Sequence, residues 1–170
     1  MCAAMVMIPA AAHAQSWNTV TMSRQLERAD EIRVFVEYGA GHFTVRSVDE
    51  GLLYRMNLRY DEDKFEPVAE YSGNRLRLGV ESLGRGIRVK GREAGSFDLE
   101  LARGVPMDLD LEFGAVKADI DLGGLALTDL DLSTEASESV VVVSEPNPLE
   151  MGTATFEVTN ASNTRNVLLA

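Results

Sequence analysis

A short motif recurs four times in this 170-residue chain, each time at an interruption in a stretch of alternating apolar residues. An apolar residue opens each copy, and a small or turn-forming residue beside an alanine follows it. The copies span residues 36–41, 111–116, 132–137 and 158–163. Glycine, as in Gly39-Ala40-Gly41, permits backbone conformations and close approaches that larger residues forbid. The motif therefore predicts a strand that enters a tight corner and continues beyond it.

The spacing of the copies indicates how the corners are arranged. Leu111, Leu132 and Val158 open the second, third and fourth copies. Repeats of roughly 20–25 residues with strand patterning, as here, are typical of β-solenoids, whose coils stack their apolar rungs into one core. The sequence therefore predicts an all-β, β-solenoid-like stack, as in a single-stranded β-helix.

The interval between the first copy, which Val36 opens, and the second is several times longer and leaves room for an insertion between coils. Three alternating segments fill that interval, at residues 52–60, 65–71 and 76–80. Ser72-Gly73-Asn74 marks a hairpin turn, and Pro67 predicts that the middle segment is an edge strand or a bulged one, since proline cannot donate to a ladder. These features predict an inserted antiparallel meander of three strands.

Two sets of residues predict where the core lies. The aromatic set is expected to fill or flank it: Tyr38, Tyr54, Tyr60, Tyr71 and Phe113. The run Val140 to Val143 is uninterrupted by polar residues, which favours a strand buried on both faces.

Residues 1–14 form a segment of their own. They carry no Asp, Glu, Lys or Arg and end in Ala12-His13-Ala14, the small-x-small pattern of a secretory cleavage site. A buried N-terminal helix is the alternative. The domain prediction is a signal peptide at 1–14, a polar lead-in at 15–31, extended or helical, and one all-β repeat domain at 32–170, shortened at its C-terminus. Cleavage would remove Cys2 and His13, so that His42 remains as the single histidine and no thiol is left.

The net charge of −11 limits the classes of partner. Nucleic acid binding needs clustered Lys and Arg, and docking on anionic lipid needs a basic patch. Both are disfavoured. No apolar stretch beyond residue 14 is long enough for a transmembrane helix.

Three Asp-x-Asp pairs are the sharpest polar feature: Asp108/Asp110, Asp119/Asp121 and Asp129/Asp131. Alternate residues of a strand share a face, so stacked coils are expected to bring pairs from neighbouring rungs together. Dense carboxylates suit Ca²⁺, but the glycine-rich nonapeptide of calcium-binding β-rolls is absent. A solvated acidic face that keeps the stack soluble is the favoured interpretation.

Catalytic motifs are not recognisable in the sequence. His42 follows a corner without a second histidine or a nucleophile elbow, and Ser137 and Ser139 fit a turn. Residues 81–95 are rich in Gly and Arg, which predicts a solvated loop or, alternatively, an anion-binding rim. They contain no phosphate-binding motif.

Three segments together resemble bacterial toast-rack domains, a β-repeat of the putative-adhesin type. They are the corner at 36–41, the strand at 53–61, and the stretch from 130–137 through Ser144-Glu145-Pro146-Asn147-Pro148. The resemblance covers about residues 32–166. It implies a solenoid-like stack, a location in the envelope or outside the cell, and a binding or scaffold role without catalytic residues.

These observations predict a non-catalytic, exported β-repeat module, periplasmic or at the cell surface, that binds or scaffolds an envelope protein or glycan. No catalytic, cofactor-binding or metal-binding residue is assigned. The alternative is a polysaccharide-active enzyme that uses carboxylates such as Asp119 and Asp121, because β-solenoids host such chemistry.

Overall fold

The computed structural model describes residues 16–27, 31–84, 95–135 and 138–159, and the backbone of residues 167–168. Within these residues all regular structure is β-strand. The strands are β1 Trp17–Gln25, β2 Ile32–Val48, β3 Leu52–Asp61, β4 Phe65–Ser72, β5 Arg75–Ser82, β6 Gly95–Ala102, β7 Pro106–Asp121, β8 Ala126–Thr134, β9 Glu138–Val142, β10 Ala154–Val158 and β11 Val167–Leu168. They belong to one mixed sheet. The all-β prediction is confirmed.

Successive copies of the motif lie side by side in parallel strands. β2 pairs with β7 so that Val36, which opens the first copy, stands opposite Leu111, which opens the second. β7 pairs with β8 so that Leu111 in turn stands opposite Leu132, which opens the third. The stack of coils predicted from the repeats is confirmed.

The fourth copy pairs in a different register from the one that the sequence predicted. β10 pairs with β8 so that Phe156, and not Val158, stands opposite Leu132. The predicted alignment is wrong by two positions. Such a shift returns every side chain to the same face of the sheet, so the apolar pattern does not distinguish the two registers.

At each corner the strand changes its neighbour. The first half of β2, residues 33–37, pairs with β5, and its second half, residues 41–48, pairs with β6. The first half of β7 pairs with β8 and its second half with β9. In the next coils the two halves are separate strands, with β10 beside β8 and β11 beside β9. The coils therefore have two halves each, and the motif marks the boundary.

The corner also reverses the alternation of side chains. Along the first half of β2 the even-numbered residues are buried, up to Tyr38; along the second half the odd-numbered ones are buried, from Gly41 onwards. β7 repeats the change between Phe113 and Val116. Two consecutive residues thus face outward at each corner. An uninterrupted period of two would have exposed the apolar residues of the second half.

Four aromatic rings pack together on the inner side of the corner. Tyr38 and Phe113 come from the first halves of their coils, and Phe43 and Phe97 from second halves. The ring centroids of Phe43 and Phe113 are 4.6 Å apart, and those of Tyr38 and Phe97 are 5.5 Å apart with an edge-to-face geometry. The core placement predicted for the aromatic residues is confirmed. Tyr54 is also buried, and Tyr60 and Tyr71 are partly buried and pack against the hydrophobic core.

The insertion between β2 and β7 departs from the predicted meander. β3 is antiparallel to β1 and β6, whereas β4 and β5 form a separate antiparallel hairpin. β3 pairs with β6 and thereby extends the part of the sheet that the second halves of the coils form. The hairpin pairs with β2 through β5 and extends the part that the first halves form. The predicted pairing of β3 with β4 is wrong, because alternation defines a buried face but not the neighbouring strand. The edge position predicted from Pro67 is confirmed, since β4 pairs with β5 alone.

Two further segments differ from the sequence analysis. Most of the stretch interpreted as a lead-in is β1, which extends the sheet beside β3. In the valine run only Val141 is buried, while Val140 and Val142 are exposed, so the prediction of a strand buried on both faces is wrong. Val140 and Val142 stand opposite Asp119 and Asp121, and the register therefore places them on the outer face.

Gly114 provides a test of the corner. A Cβ at Gly114 would lie 2.3 Å from the carbonyl oxygen of Gly39 in the neighbouring coil, whereas a Cβ at Gly39 would meet nothing within 4 Å. We expect Gly114→Ala to lower the free energy of unfolding by about 1–3 kcal/mol, the range for forced overpacking. Gly39→Ala is the matched control, with a change between zero and a gain of about 1 kcal/mol. Urea denaturation measures both; equal midpoints for the two variants would contradict the close approach.

The Tyr38 hydroxyl provides a second test. It is buried and has no hydrogen-bond partner among the described residues. An unpaired buried hydroxyl costs about 1–3 kcal/mol, so Tyr38→Phe is expected to leave the free energy of unfolding unchanged or to raise it. Thermal and urea denaturation check this expectation. A loss above about 1 kcal/mol, the typical net value of one hydrogen bond, would mean that the hydroxyl donates to a partner.

Candidate functional site

The outward side chains of the stack form rows across the strands, and these rows contain the predicted acidic residues. Asp108 stands opposite Asp129, and Asp110 stands opposite Asp131, in the first halves of neighbouring coils. The expected meeting of Asp-x-Asp pairs is confirmed for these four residues. Asp119 and Asp121 lie in the second half of β7, beside Val140 and Val142 of β9. The third pair is therefore separate from the other two.

Three of the six aspartates accept hydrogen bonds from neighbouring strands and turns. Asp108 accepts a hydrogen bond of 2.6 Å from Nε of Arg33 on the neighbouring coil. Asp129 accepts one of 3.0 Å from the backbone N–H of Thr153. Asp121 accepts three, from the backbone N–H groups of Gly123 and Ser144 and from the Ser144 hydroxyl. Burial opposes the ionisation of Asp121, but these three bonds together outweigh it and lower the pKa of that carboxyl.

The remaining aspartates do not gather into a metal site. Within the described ranges, no three His, Cys, Asp or Glu side chains are arranged to hold a metal ion. Asp110 faces like charges instead. Its burial, followed by the charges of Asp131, Glu112 and Asp108, raises its pKa, because each of these disfavours the ionised form. This row is a solvated acidic face with mutual repulsion.

The polysaccharide-cleaving alternative requires two carboxylates that face a common groove. Asp119 and Asp121 share the outer face of β7, but the carboxylate of Asp121 already accepts hydrogen bonds from Gly123 and Ser144. His42 is exposed on the same face, with Ser96 and Lys117 as its neighbours in register. No hydrogen bond joins His42 to Ser96 in the described structure. No observation therefore favours the enzyme over the binding module.

Glu100 is the centre of an ion-pair network that crosses three strands. The buried carboxylate on β6 accepts hydrogen bonds from Arg46 on β2 and, at 2.8 Å, from Arg55 on β3. Arg55 also binds Glu50 in the β2–β3 turn, at 2.5 Å. The hydrogen bond from Arg46 is the largest cause of the lowered pKa of Glu100, although burial opposes it. The network fastens the antiparallel β3 to the parallel stack.

A polar cleft of about 250 Å³ opens on the outer face where β2 begins. Glu31 and Arg33 of the β2 entry, Asn74 and Arg75 of the β4–β5 hairpin, and Asp108 of β7 line it, together with Ile32. Sequence reasoning missed this site. Arg33 and Arg75 are far apart along the chain, and only the parallel pairing of β2 with β5 makes them neighbours.

Some predicted features lie outside the described residues. They are Ser137, residues 85–94 of the Gly- and Arg-rich segment, and residues 160–163 of the fourth motif. Ser139 belongs to β9 and is partly buried, opposite Ala118.

The family model for the N-terminal domain of toast_rack, DUF2154, matches residues 12–162 of this chain. The chain belongs to this toast-rack family. The match covers the corner motif, the insertion and the coils, and it confirms the resemblance on which the sequence analysis relied. Among curated proteins, none matches this toast-rack domain.

Solved structures also share features with the toast-rack domain. One, described as a "putative cell adhesion protein" from Clostridium sporogenes, has a TM-score of 0.68 at 15% identity, over 82% of this chain and 68% of that one. This similarity shows a common fold. A "putative adhesin" from Bacteroides fragilis has a TM-score of 0.32 at 8% identity, over 85% of this chain and 97% of that one. Another "putative adhesin", from Parabacteroides distasonis, has a TM-score of 0.33 at 13% identity, over 74% of this chain and 57% of that one.

In the residues that the structure describes, no helix has the length and apolar character needed to cross a membrane.

The Glu100 network gives a pH-dependent prediction. A carboxyl whose pKa is depressed in the folded state contributes stability above its unfolded pKa, and this contribution is lost as the pH falls through the folded pKa. We expect Glu100→Gln to lower the free energy of unfolding at pH 7 by about 1.5–3 kcal/mol, the range for hydrogen bonds to charged groups. Between pH 7 and pH 3 the variant should lose less stability than the wild type. Urea denaturation at both values measures the difference.

Asp110→Asn is the matched control, because the pKa of Asp110 is raised. Removal of that charge should stabilise the domain at pH 7, and the gain should vanish at pH 3, where the wild-type carboxyl is protonated as well. Parallel pH dependences for the two variants would contradict the assigned roles.

Proposed function

We propose that this toast-rack domain is a non-catalytic, exported module of the cell envelope that binds or scaffolds an envelope protein or glycan. The observation that carries the proposal is the distribution of the polar groups. They are spread over the broad outer faces of a stacked sheet, as in the acidic row and the Glu100 network, and many of them are already paired with one another. Such a surface suits extended contact with a partner.

Two further observations support the proposal. The fold is shared with a protein that is described as a putative cell adhesion protein. The first fourteen residues contain the apolar stretch of a secretory signal and end in its small-x-small pattern, with Ala12 and Ala14 before the expected cleavage. A rigid sheet also serves recognition well, because little conformational entropy is lost when a preorganised surface binds.

A fractionation experiment tests the proposal. The full chain, with a C-terminal tag, is produced in the organism that encodes it, and the mass and location of the tagged product are determined. We expect a product that begins at Gln15, lies outside the cytoplasm and sediments with the envelope fraction. A product that retains residues 1–14 in the cytoplasm, or one that never associates with the envelope, would overturn the proposal.

Two variants serve as matched controls. Ala14→Glu removes the small residue that precedes the cleavage point and should block processing, whereas His13→Gln leaves both small residues in place and should be processed normally. Equal processing of the two variants would show that the segment is not read as a cleavage signal.

A further inference from the structure

Arg75 differs from the other arginines that the structure describes. Each of the others has a carboxylate or aromatic partner: Arg24 with Glu27 and Tyr71, Arg33 with Asp108, Arg46 and Arg55 with Glu100, Arg59 with Trp17, Arg77 with Glu37 and Glu81, and Arg103 with Glu145. The side chain of Arg75 makes no hydrogen bond, ion pair or ring contact within the described residues. In a chain with 27 acidic residues, this exposed guanidinium without a partner is available to pair with an external anion.

The position of Arg75 strengthens this assignment. It stands directly opposite Arg33 in the parallel pairing of β2 with β5, on the same outer face of the sheet. Like charges opposite each other on a sheet are destabilising. Asp108 accepts a hydrogen bond from Nε of Arg33, whereas no carboxylate among the described residues forms an ion pair with Arg75. An anion bound beside Arg75 would supply a counter-charge.

The cleft around Arg75 is held in place by the backbone. Asn74 lies in the turn of the β4–β5 hairpin and Arg75 begins β5 directly after it; Gly73 of this turn has a φ of 63°, which glycine adopts without cost. The backbone N–H of Arg33 donates to the carbonyl of Asn74 at 2.8 Å and ties this turn to the start of β2. The backbone around the cleft is therefore fixed, which limits the entropy lost on binding to that of the side chains.

The other groups that line the cleft restrict the ligand. Glu31 and Asp108 place two carboxylates there, and a multiply charged anion such as phosphate would be repelled by them. A ligand with one carboxylate and several hydroxyls fits better. Its carboxylate would pair with the planar fork of Arg75, and its hydroxyls would donate to Glu31 and Asp108 or bond the Asn74 amide.

The volume of the cleft limits the size of this ligand. About 250 Å³ lies below the roughly 300–1,000 Å³ of pockets for drug-sized molecules, so the cleft accepts one small unit. We infer that it binds one hexuronic acid unit of a glycan. This inference rests on the proposed function and narrows its partner to an acidic carbohydrate.

Binding is tested by amide chemical shifts of the full chain during titration with sodium glucuronate, with glucose and inorganic phosphate as comparison ligands. We expect glucuronate to shift the amides of Glu31, Arg33, Asn74 and Arg75 with a dissociation constant in the millimolar range, and glucose and phosphate to bind at least tenfold more weakly. Arg75→Gln should weaken glucuronate binding at least tenfold. Arg77→Gln is the matched control, because it removes the next outward arginine of β5, which is already paired with Glu37 and Glu81.

Three results would overturn the inference: no shifts with glucuronate, equal binding of phosphate and glucuronate, or equal losses in the two variants. Both arginines are on the surface, so the dispersion of the amide spectrum will show whether each variant is folded. Envelope sedimentation of the wild type is measured separately. If it persists while glucuronate fails to bind, the site is wrong and the proposed function stands; if sedimentation is absent as well, the proposed function fails too.

Discussion

The fold depends on how closely neighbouring coils approach each other at the corner. β2 and β7 each expose two consecutive residues there, so that the apolar residues of both their halves face one core. Between β2 and β7 the backbones come so near that Gly114 has no room for a Cβ next to the carbonyl of Gly39. The four aromatic rings inside the corner then fill the space between the halves. The glycine thus permits the close approach of the two backbones, and the aromatic rings fill the space inside the corner.

The register set by this corner also decides the electrostatics of the surface. Parallel strands bring outward residues of successive coils into rows, so that each charge acquires neighbours distant in sequence. Burial and then the charge of Asp131 disfavour the ionised form of Asp110, while hydrogen bonds from two arginines, Arg46 above all, favour the ionised form of Glu100. The lateral pairing of strands thus sets the charged neighbours of both groups, and it also places Arg75 beside Arg33.

The sequence predicted the features that depend on local chemistry or on repetition. The strands, the hairpin turn at Gly73 and the alignment of the first three motif copies follow from alternation, turn residues and self-similarity. Features that depend on lateral neighbours were not predictable. Alternation does not tell which strand lies beside β3, and a register two positions away from that of Phe156 has the same pattern. The outward side chains of Val140 and Val142 look like core residues in a sequence, because only the register with β7 exposes them. Arg75 escaped notice for the same reason, since nothing local marks an arginine as unpaired.

The insertion between the first two coils has a consequence for how the chain folds. β2 lies in the middle of the sheet, yet its lateral partners come from β5, β6 and β7, and β7 follows only after the whole insertion. The entropy of closing these long loops must be lost before the contacts are gained, which slows the folding of proteins with non-local pairing. Until β7 is available, one edge of β2 has no partner and exposes hydrogen-bonding groups that favour aggregation. Among the described strands, the central strand β2 therefore waits longest during synthesis for its last pairing partner.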